Sequence, residues 1–238
     1  EFIVANNLVR VDSYNYGKFI VKNAIFNNNR NTSNGYIVNM GEMDVDNGKV
    51  EFVHNNAKLN IYNDGQVGCR QNKIEGIDDC ITHITSGTLE ADIMNGILNI
   101  NSGDSTEKTN VTLYTTATGI GGKVNINNVN LNTSLDSNLN IKFTGELLIE
   151  DSVIKGNITA SGENERIIRN STIYGNLHME DSNYPLGGKI EITGSTIGTQ
   201  ENNAEVSIVN KNADNNPINI SNTTIYGYLA SKNANNAE

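Results

Sequence analysis

Two cysteines, Cys69 and Cys80, are the residues of this chain whose type and spacing most directly suggest chemistry. The chain has no CxxC motif, and His83 is the only histidine near them, so the set falls short of a zinc site. A disulfide that closes a short loop is favoured over a metal or redox site, and it implies an oxidising compartment. Closing this 12-residue loop would stabilise the fold by about 3 kcal/mol.

The loop between the cysteines carries polar side chains that could contact a partner. The four residues after the first cysteine are Arg70, Gln71, Asn72 and Lys73. We expect this segment to be exposed and treat it as a possible binding loop. The alternative, a stapled insertion with no recognition role, stays open.

Two further motifs resemble ligand-binding loops and are better explained as turns. Asp44 and Asp46 match the first acidic positions of a calcium loop, but Gly48 falls one place early and no Glu follows at the twelfth position. Residues 119–122 (Gly-Ile-Gly-Gly) lack the Lys-Ser/Thr of a phosphate-binding loop and precede an expected strand. Both segments are predicted to be corners of the chain.

Catalysis by a β-structured enzyme would need clustered carboxylates, or carboxylates beside a base. The nearest clusters are Asp78-Asp79 beside His83, and residues 163–166 together with Arg169. Both are expected to be solvated turns. We therefore predict no catalytic residue, no metal site and no cofactor.

Composition excludes several classes of partner. The 238 residues carry a net charge of −10, which argues against nucleic acid and against an anionic membrane surface. No stretch approaches the ~18 apolar residues of a membrane span, so direct membrane insertion is not expected. The chain has 43 Asn but only 12 Lys, a bias that codon usage alone does not produce. Asn tolerates left-handed backbone and can stack in ladders, both of which suit the corners of a β-solenoid.

The elements that must position these residues are indicated by a phrase that recurs four times toward the end of the chain. Each copy has an apolar pair, a turn residue, Ser or Thr, a β-branched residue, Ile and usually Gly. Its anchoring isoleucines, separated by 19, 24 and 28 residues, are Ile149, Ile168, Ile192 and Ile220. A strand-only repeat of this length is typical of a solenoid that stacks one coil per repeat.

Residues 124–131 show how the chain turns between strands. Their apolar residues form two pairs that each share a face, but the phase jumps by three between Ile126 and Val129. A straight strand alternates with period two and cannot bury both pairs. A corner at Asn127-Asn128, with one residue in the left-handed conformation, restores the phase.

These repeats predict an all-β fold, a single-stranded parallel β-helix of three strands per coil. Roughly nine or ten coils at about 4.8 Å per rung would give a rod ~45 Å long. We expect the β-helix to occupy residues 1–230, with the disulfide-closed loop near 69–80, and a polar tail over residues 231–238.

Three segments depart from the regular spacing. The cysteine loop lies in a 39-residue gap between Ile61 and Ile100, which holds either one ordinary coil with a protruding loop or one oversized coil. Residues 87–103 favour strands or a short turn over a helix. Residues 204–216, rich in Asn and Asp, are expected to form an irregular excursion.

Two segments of the repeat resemble the Asn-rich repeats of bacterial type V secreted passengers. They are Ser152-Val-Ile-Lys-Gly-Asn-Ile158 and Ser171-Thr-Ile-Tyr-Gly-Asn-Leu177. These passengers are the autotransporter and two-partner-secretion adhesins, such as the filamentous haemagglutinin group. The resemblance covers most of the chain and implies a right-handed parallel β-helix exported by a Gram-negative bacterium. Such passengers lack cysteines or carry a closely spaced pair. The chain has no protease motif, secretion cap or C-terminal barrel, so we expect an internal segment of a longer protein.

The resemblance implies a non-catalytic adhesin, secreted or held at the bacterial outer-membrane surface. Its expected partner is a host-cell glycan or protein receptor, or another copy of the chain. Surfaces rich in Asn, Ser and Thr suit low-affinity multivalent contact. Two alternatives stay open: the receptor-recognition part of a toxin-delivery exoprotein, and a polysaccharide lyase or hydrolase. The absence of Trp and the sparse carboxylate clusters weigh against the enzyme.

Overall fold

A computed structural model shows that the chain forms a parallel β-helix, as the repeats predict. It describes residues 13–26, 37–71, 80–91, 96–114, 120–133, 140–162, 164–181, 188–210 and 218–233. Within these residues the strands form three sheets, here named sheets 1, 2 and 3, and neighbouring strands run parallel. The described part contains no α-helix, and hence none that could cross a membrane.

Sheet 1 follows the stack from the first described coil to the last. Its strands shorten toward the C-terminal end, where the corner residue and the following Gly leave room for two strand residues per coil. Numbered in chain order, its strands are β1 (Ser13–Asn15), β3 (Ile25–Phe26), β4 (Ile37–Asn39), β6 (Lys49–Asn55), β8 (Gly65–Gln71), β10 (Gly87–Ala91), β12 (Thr109–Tyr114), β14 (Val129–Asn132), β17 (Val153–Lys155), β20 (Thr172–Ile173), β23 (Thr196–Ile197) and β26 (Thr224–Ile225).

Sheet 2 has ten strands in the described part of the chain, which confirms the predicted nine or ten coils. Successive side chains alternate between the core and the exterior. On its middle strands the inward residues, such as Leu98 and Ile100, are at most 1% exposed. The strands are β2 (Lys18–Lys22), β5 (Glu42–Asp46), β7 (Lys58–Tyr62), β9 (Ile81–Ile84), β11 (Ile97–Asn101), β13 (Lys123–Asn127), β16 (Glu146–Glu150), β19 (Arg166–Arg169), β22 (Ile190–Thr193) and β25 (Ile218–Ser221).

Sheet 3 accompanies only the C-terminal coils among the described residues. It supplies the third strand per coil that the sequence predicts after the repeat glycines, with inward residues such as Ile158 and Leu177. Its strands are β15 (Asn140–Phe143), β18 (Asn157–Gly162), β21 (Leu177–Asp181), β24 (Ala204–Asn210) and β27 (Gly227–Asn233). The last strand therefore continues to Asn233, into the residues 231–238 that were expected to form a polar tail.

The register of sheet 2 confirms the repeat phrase. The four anchoring isoleucines stand directly above one another: Ile149 pairs with Ile168, Ile168 with Ile192, and Ile192 with Ile220. Full burial of one such side chain contributes ~1.5–3 kcal/mol. The column is therefore a main source of cohesion between the C-terminal coils.

The predicted left-handed corners are present. Among the described residues, the non-glycine residues with positive φ are all Asn or Asp, for example Asn128 at 53° and Asn170 at 48°. These are the side chains for which this conformation costs least after glycine. The corner at Asn127-Asn128 is thus confirmed, and the high Asn content has a structural use.

A buried asparagine ladder (Asn15, Asn39 and Asn55) holds the opposite corner of the N-terminal coils. The Asn39 side chain accepts from Asn15 Nδ2 at 2.7 Å, and its own Nδ2 donates to Asn55 Oδ1 at 2.7 Å and to the Lys58 carbonyl at 2.8 Å. Asn39 and Asn55 are completely buried. The ladder therefore satisfies polar groups that the compact corner removes from water.

A serine ladder (Ser152, Ser171, Ser195 and, in the last coil, Thr223) lies in the C-terminal coils at the other corner, where the chain passes from sheet 2 to sheet 1. Each hydroxyl donates to the carbonyl two residues earlier, as Ser171 does to Arg169 at 2.7 Å. The last three hydroxyls also accept from the backbone N–H of the preceding ladder residue, as Ser171 does from Ser152 at 3.1 Å, and Ser152 accepts from the Val129 N–H at 3.3 Å. These bonds explain why every copy of the repeat phrase carries Ser or Thr after its turn residue.

Arg166 corrects one expectation. The cluster at residues 163–166 was expected to be a solvated turn, but Arg166 is completely buried. Register places it at an inward position of β19, between Leu147 and Ile190 of the neighbouring strands. Its guanidinium donates to the carbonyls of Gly162 and Glu180, which gives the charge polar partners inside the stack.

The structure also shows what lies in the 39-residue gap between Ile61 and Ile100 and in part of the segment at residues 204–216. Ile84 pairs with both Ile61 and Ile100, so the 39-residue gap contains an ordinary rung, β9. Residues 87–103 contain strands β10 and β11, as predicted. The prediction of an irregular excursion at residues 204–216 is wrong for residues 204–210. These residues form β24, and Ala204, Val206 and Ile208 alternate into the core along it. Residues 211–217 lie outside the described part.

Ion pairs tie the exteriors of the C-terminal rungs of sheet 2 together. Arg169 Nε lies 2.8 Å from Glu191 and its Nη1 lies 3.2 Å from Glu150, while Lys189 also contacts Glu191. Hydrogen bonds from Lys189 and then from Arg169 lower the pKa of Glu191 from its ordinary 4.5 to about 2. The Glu191 carboxylate is thus stabilised by two cations.

We expect Asn39→Asp to destabilise the protein by at least about 2 kcal/mol, because a carboxylate cannot donate to Asn55 or Lys58 and places a charge in a buried corner. Asn127→Asp, which adds the same charge at an exposed strand end, is the matched control. Urea unfolding followed by circular dichroism measures both. Equal midpoints for the two variants would contradict a supporting role for the ladder.

The Glu191 ion pairs predict a specific acid dependence. Because the folded state lowers the pKa of this carboxyl, its stabilising contribution is complete above about pH 4.5 and is lost as the pH falls toward 2. The stability difference between wild type and Glu191→Gln should therefore shrink over this interval. Glu107→Gln, at an exposed glutamate, is the matched control. A constant difference for Glu191→Gln would refute the shift.

Candidate functional site

The predicted cysteine loop lies mostly outside the described residues. The backbone of Cys69, Arg70 and Gln71 forms the end of β8, with Cys69 opposite Ala91 of β10. Residues 72–79, which include Asn72 and Lys73, are not described. Cys80 is buried just before β9. The disulfide and the binding loop therefore stay predictions.

The calcium-like motif is a corner, as predicted. Asp44 and Asp46 lie in β5, and Asn47 turns the chain into β6 with a φ of 47°. The Asp46 carboxylate accepts from Asn63 Nδ2 at 2.7 Å and lies 2.9 Å from Lys22 Nζ, contacts that lower its pKa, the Asn63 bond most. In the described part of the chain, no three His, Cys, Asp or Glu residues converge as metal ligands.

The glycine run also behaves as a corner in its described part. Gly122 has a φ of 75° and directly precedes β13, a strand and not a helix. The amide cradle at a helix N-terminus that phosphate loops use is therefore not formed at this position.

The outward face of sheet 2 carries a row of polar side chains that sequence analysis did not single out. The central outward positions of five consecutive rungs are in register and are occupied by Asp44, Asn60, His83, Asn99 and Asn125. We call these five residues the polar row. At about 4.8 Å per rung the row spans ~19 Å along the axis of the stack.

Hydrogen bonds within the polar row fix several of its side chains. Asn60 Nδ2 donates to Asp44 Oδ1 at 2.6 Å and to Glu42 Oε1 at 3.3 Å. Farther along, Asn125 Nδ2 donates to Asn99 Oδ1 at 2.8 Å. Because these groups are already oriented, a ligand would order few side chains when it binds.

A shallow groove opens over the N-terminal part of the polar row. Its volume is about 360 Å³, within the range of small-ligand sites. The groove combines carboxylate, amide, imidazole, hydroxyl and aromatic groups. It is lined by Glu42, Asp44, Asn60, Ile61, Tyr62, His83 and Thr85.

Lysines balance the acidic side of this groove. Lys18 Nζ lies 3.0 Å from Asp44 and 3.6 Å from Glu42, and Lys58 Nζ lies 3.1 Å from Glu42. Two cations thus face two carboxylates. The groove is close to neutral although the whole chain carries −10.

The titratable rings of the groove are held in their uncharged forms near neutral pH. Burial, and then the charge of Lys58, lowers the pKa of His83 below its ordinary 6.5. Burial, and then the charges of Asp44 and Asp46, raises the pKa of Tyr62 above 10. A tyrosine that acts as a catalytic base needs the opposite shift. Tyr62 is therefore better suited to hydrogen bonding than to proton abstraction.

The sequence holds a partial signal for this site. Asn60, Asn99 and Asn125 each lie between two apolar residues of a strand, so alternation alone places them on the exterior. Their alignment could not be deduced, because the coils differ in length. Adjacent rungs are 16 residues apart at Asp44 and Asn60 but 26 apart at Asn99 and Asn125.

Comparisons of this chain with protein-family models, with curated proteins and with solved structures found no match. Its function is therefore inferred from its own residues.

Proposed function

We propose that the chain is a non-catalytic adhesin segment, displayed on a bacterial surface or secreted, that attaches to host cells or to copies of itself. The observation that carries this proposal is the polar row, a straight line of oriented hydrogen-bonding groups on a rigid stack. The resemblance of the repeats to type V secreted passengers supports the same assignment.

The architecture suits attachment by many weak contacts. Parallel rungs present equivalent outward positions at a constant spacing, so a partner with a linear repeat meets several of them at once. Linked weak contacts raise the overall affinity without any single deep pocket. A receptor-recognition role in a toxin-delivery exoprotein would use the same surface.

A polysaccharide lyase or hydrolase is the less favoured alternative. Glycoside hydrolysis uses two carboxyl groups, of which one must carry a proton to the leaving group. Here the two carboxylates of the groove, Glu42 and Asp44, are both engaged in ion pairs with Lys18. Tyr62, with its raised pKa, is a poor base.

We expect Asn99→Lys to reduce saturable binding of the fluorescent chain to epithelial cells by about tenfold or more, a loss of ~1.4 kcal/mol. The substitution removes the acceptor of Asn125 and puts a long cation in the middle of the polar row. Asn130→Lys is the matched control, since Asn130 lies on the exterior of sheet 1 and also bonds to a neighbouring-rung asparagine, Asn110.

Glycosidase-treated and protease-treated cells, and labelled chain mixed with unlabelled chain, identify the class of receptor. Mass spectrometry of soluble polysaccharides after incubation tests for cleavage. Binding that Asn99→Lys leaves intact would exclude the polar row as the adhesive surface. A wild-type chain that binds neither cells nor itself, or that cleaves a polysaccharide, would overturn the proposed function.

A further inference from the structure

We propose that the groove over Asn60 and His83 binds an extended, uncharged polysaccharide, with one sugar ring over each rung of the polar row from Asn60 to Asn125. This inference rests on the proposed adhesive function and names the ligand class of its surface. It commits to a glycan, so a protein receptor is an outcome that the test can reveal.

The spacing of the row argues for a linear polymer of pyranose rings. Side chains recur at about 4.8 Å along a straight axis. An extended chain of equatorially linked pyranoses advances by a similar distance per sugar. A chain laid along the stack from Asn60 would therefore place successive sugars over His83, Asn99 and Asn125 without a change of register.

The groups at the groove match sugar hydroxyls. Both amide hydrogens of Asn60 are directed at Asp44 and Glu42, which leaves its carbonyl oxygen to accept from a hydroxyl. A neutral imidazole offers one donor and one acceptor, so His83 can either donate a hydrogen bond to a sugar hydroxyl or accept one from it. Asp44 is 6% exposed, and its part is to orient Asn60.

Tyr62 gives the groove an aromatic wall. It is half-buried, lies on the same rung as Asn60 and lines the groove beside it. An aromatic ring with a polar tip suits a ligand that has both apolar C–H faces and hydroxyl edges. A pyranose has both of these features.

Charge selects against anionic glycans. The lysines at the groove, Lys18 and Lys58, are already paired with Glu42 and Asp44. A sulfated or sialylated chain would meet these carboxylates without a free cation, inside a protein of net charge −10. A neutral glycan avoids this repulsion.

Isothermal titration calorimetry of the whole chain with chitin-type and cellulose-type oligosaccharides of increasing length tests the proposal. Heparin is the anionic probe. We expect the neutral oligomers of at least one type to bind, with affinity at least about tenfold higher for an oligomer that reaches Asn125 than for the disaccharide. Heparin should bind at least about tenfold more weakly than that oligomer.

Two variants locate the site. Asn60→Leu and His83→Leu should each weaken oligosaccharide binding by about tenfold, which corresponds to the loss of about one hydrogen bond. Asn130→Leu on sheet 1 should leave it unchanged. Circular dichroism and thermal unfolding verify the fold of each variant, and His83→Leu keeps the test decisive if Asn60→Leu does not fold.

The outcomes separate this inference from the proposed function. Saturable cell binding that protease abolishes, with no binding of any neutral oligosaccharide, would overturn the glycan ligand and leave the adhesin in place. Oligosaccharide binding that both groove variants retain, or that does not depend on length, would overturn the site. Preference for heparin would overturn the uncharged class. Failure to bind cells, copies and sugars alike would overturn both.

Discussion

The stacking of parallel rungs in register is the constraint on which the rest of this structure depends. Each rung must place its inward aliphatic pair directly over the pair of the previous rung, as the anchoring isoleucines of sheet 2 do. The hydrogen bonds between rungs and the buried columns of Leu, Ile and Val reinforce one another, because a slip of one residue would turn the apolar side chains outward. Only the segments of the chain outside the sheets are free of this constraint on register.

Stacking in register is most costly at the corners, because polar groups are removed from water there. Two kinds of buried ladder supply hydrogen bonds to these groups. In the N-terminal coils, asparagine side chains bond to one another and to backbone carbonyls, as Asn39 does to Asn55 and Lys58. In the C-terminal coils, hydroxyls such as that of Ser171 bond only to backbone groups. The asparagine ladder lies where the chain leaves sheet 1, and the serine ladder lies where it leaves sheet 2. Both ladders give hydrogen-bond partners to backbone groups at the corners.

The same constraint produces the proposed binding surface. If inward residues are aligned, the outward residues between them are aligned too, whatever their identity. The alignment of the polar row is therefore a consequence of the packing of the core. The row itself needs only suitable side chains at the outward positions. Asp44, Asn60 and Asn125 supply them, and the ion pairs around the groove leave it nearly neutral. Each added rung adds one more aligned outward position, which is the property that the proposed attachment by many weak contacts uses.

The sequence by itself determined the class of fold, the number of coils and the Asn corners. These depend on local alternation, on the repeat phrase and on the backbone preferences of Asn, all of which act within one coil. It did not determine that Arg166 is buried or that residues 204–210 form a strand, because polar composition suggested solvent at both places. The tertiary structure also decided which outward residues meet. Coils of 16 to 28 residues bring Asn60 beside Asp44, and Ser195 beside Thr223, and only the pairing of rungs across loops of unequal length fixes such neighbours.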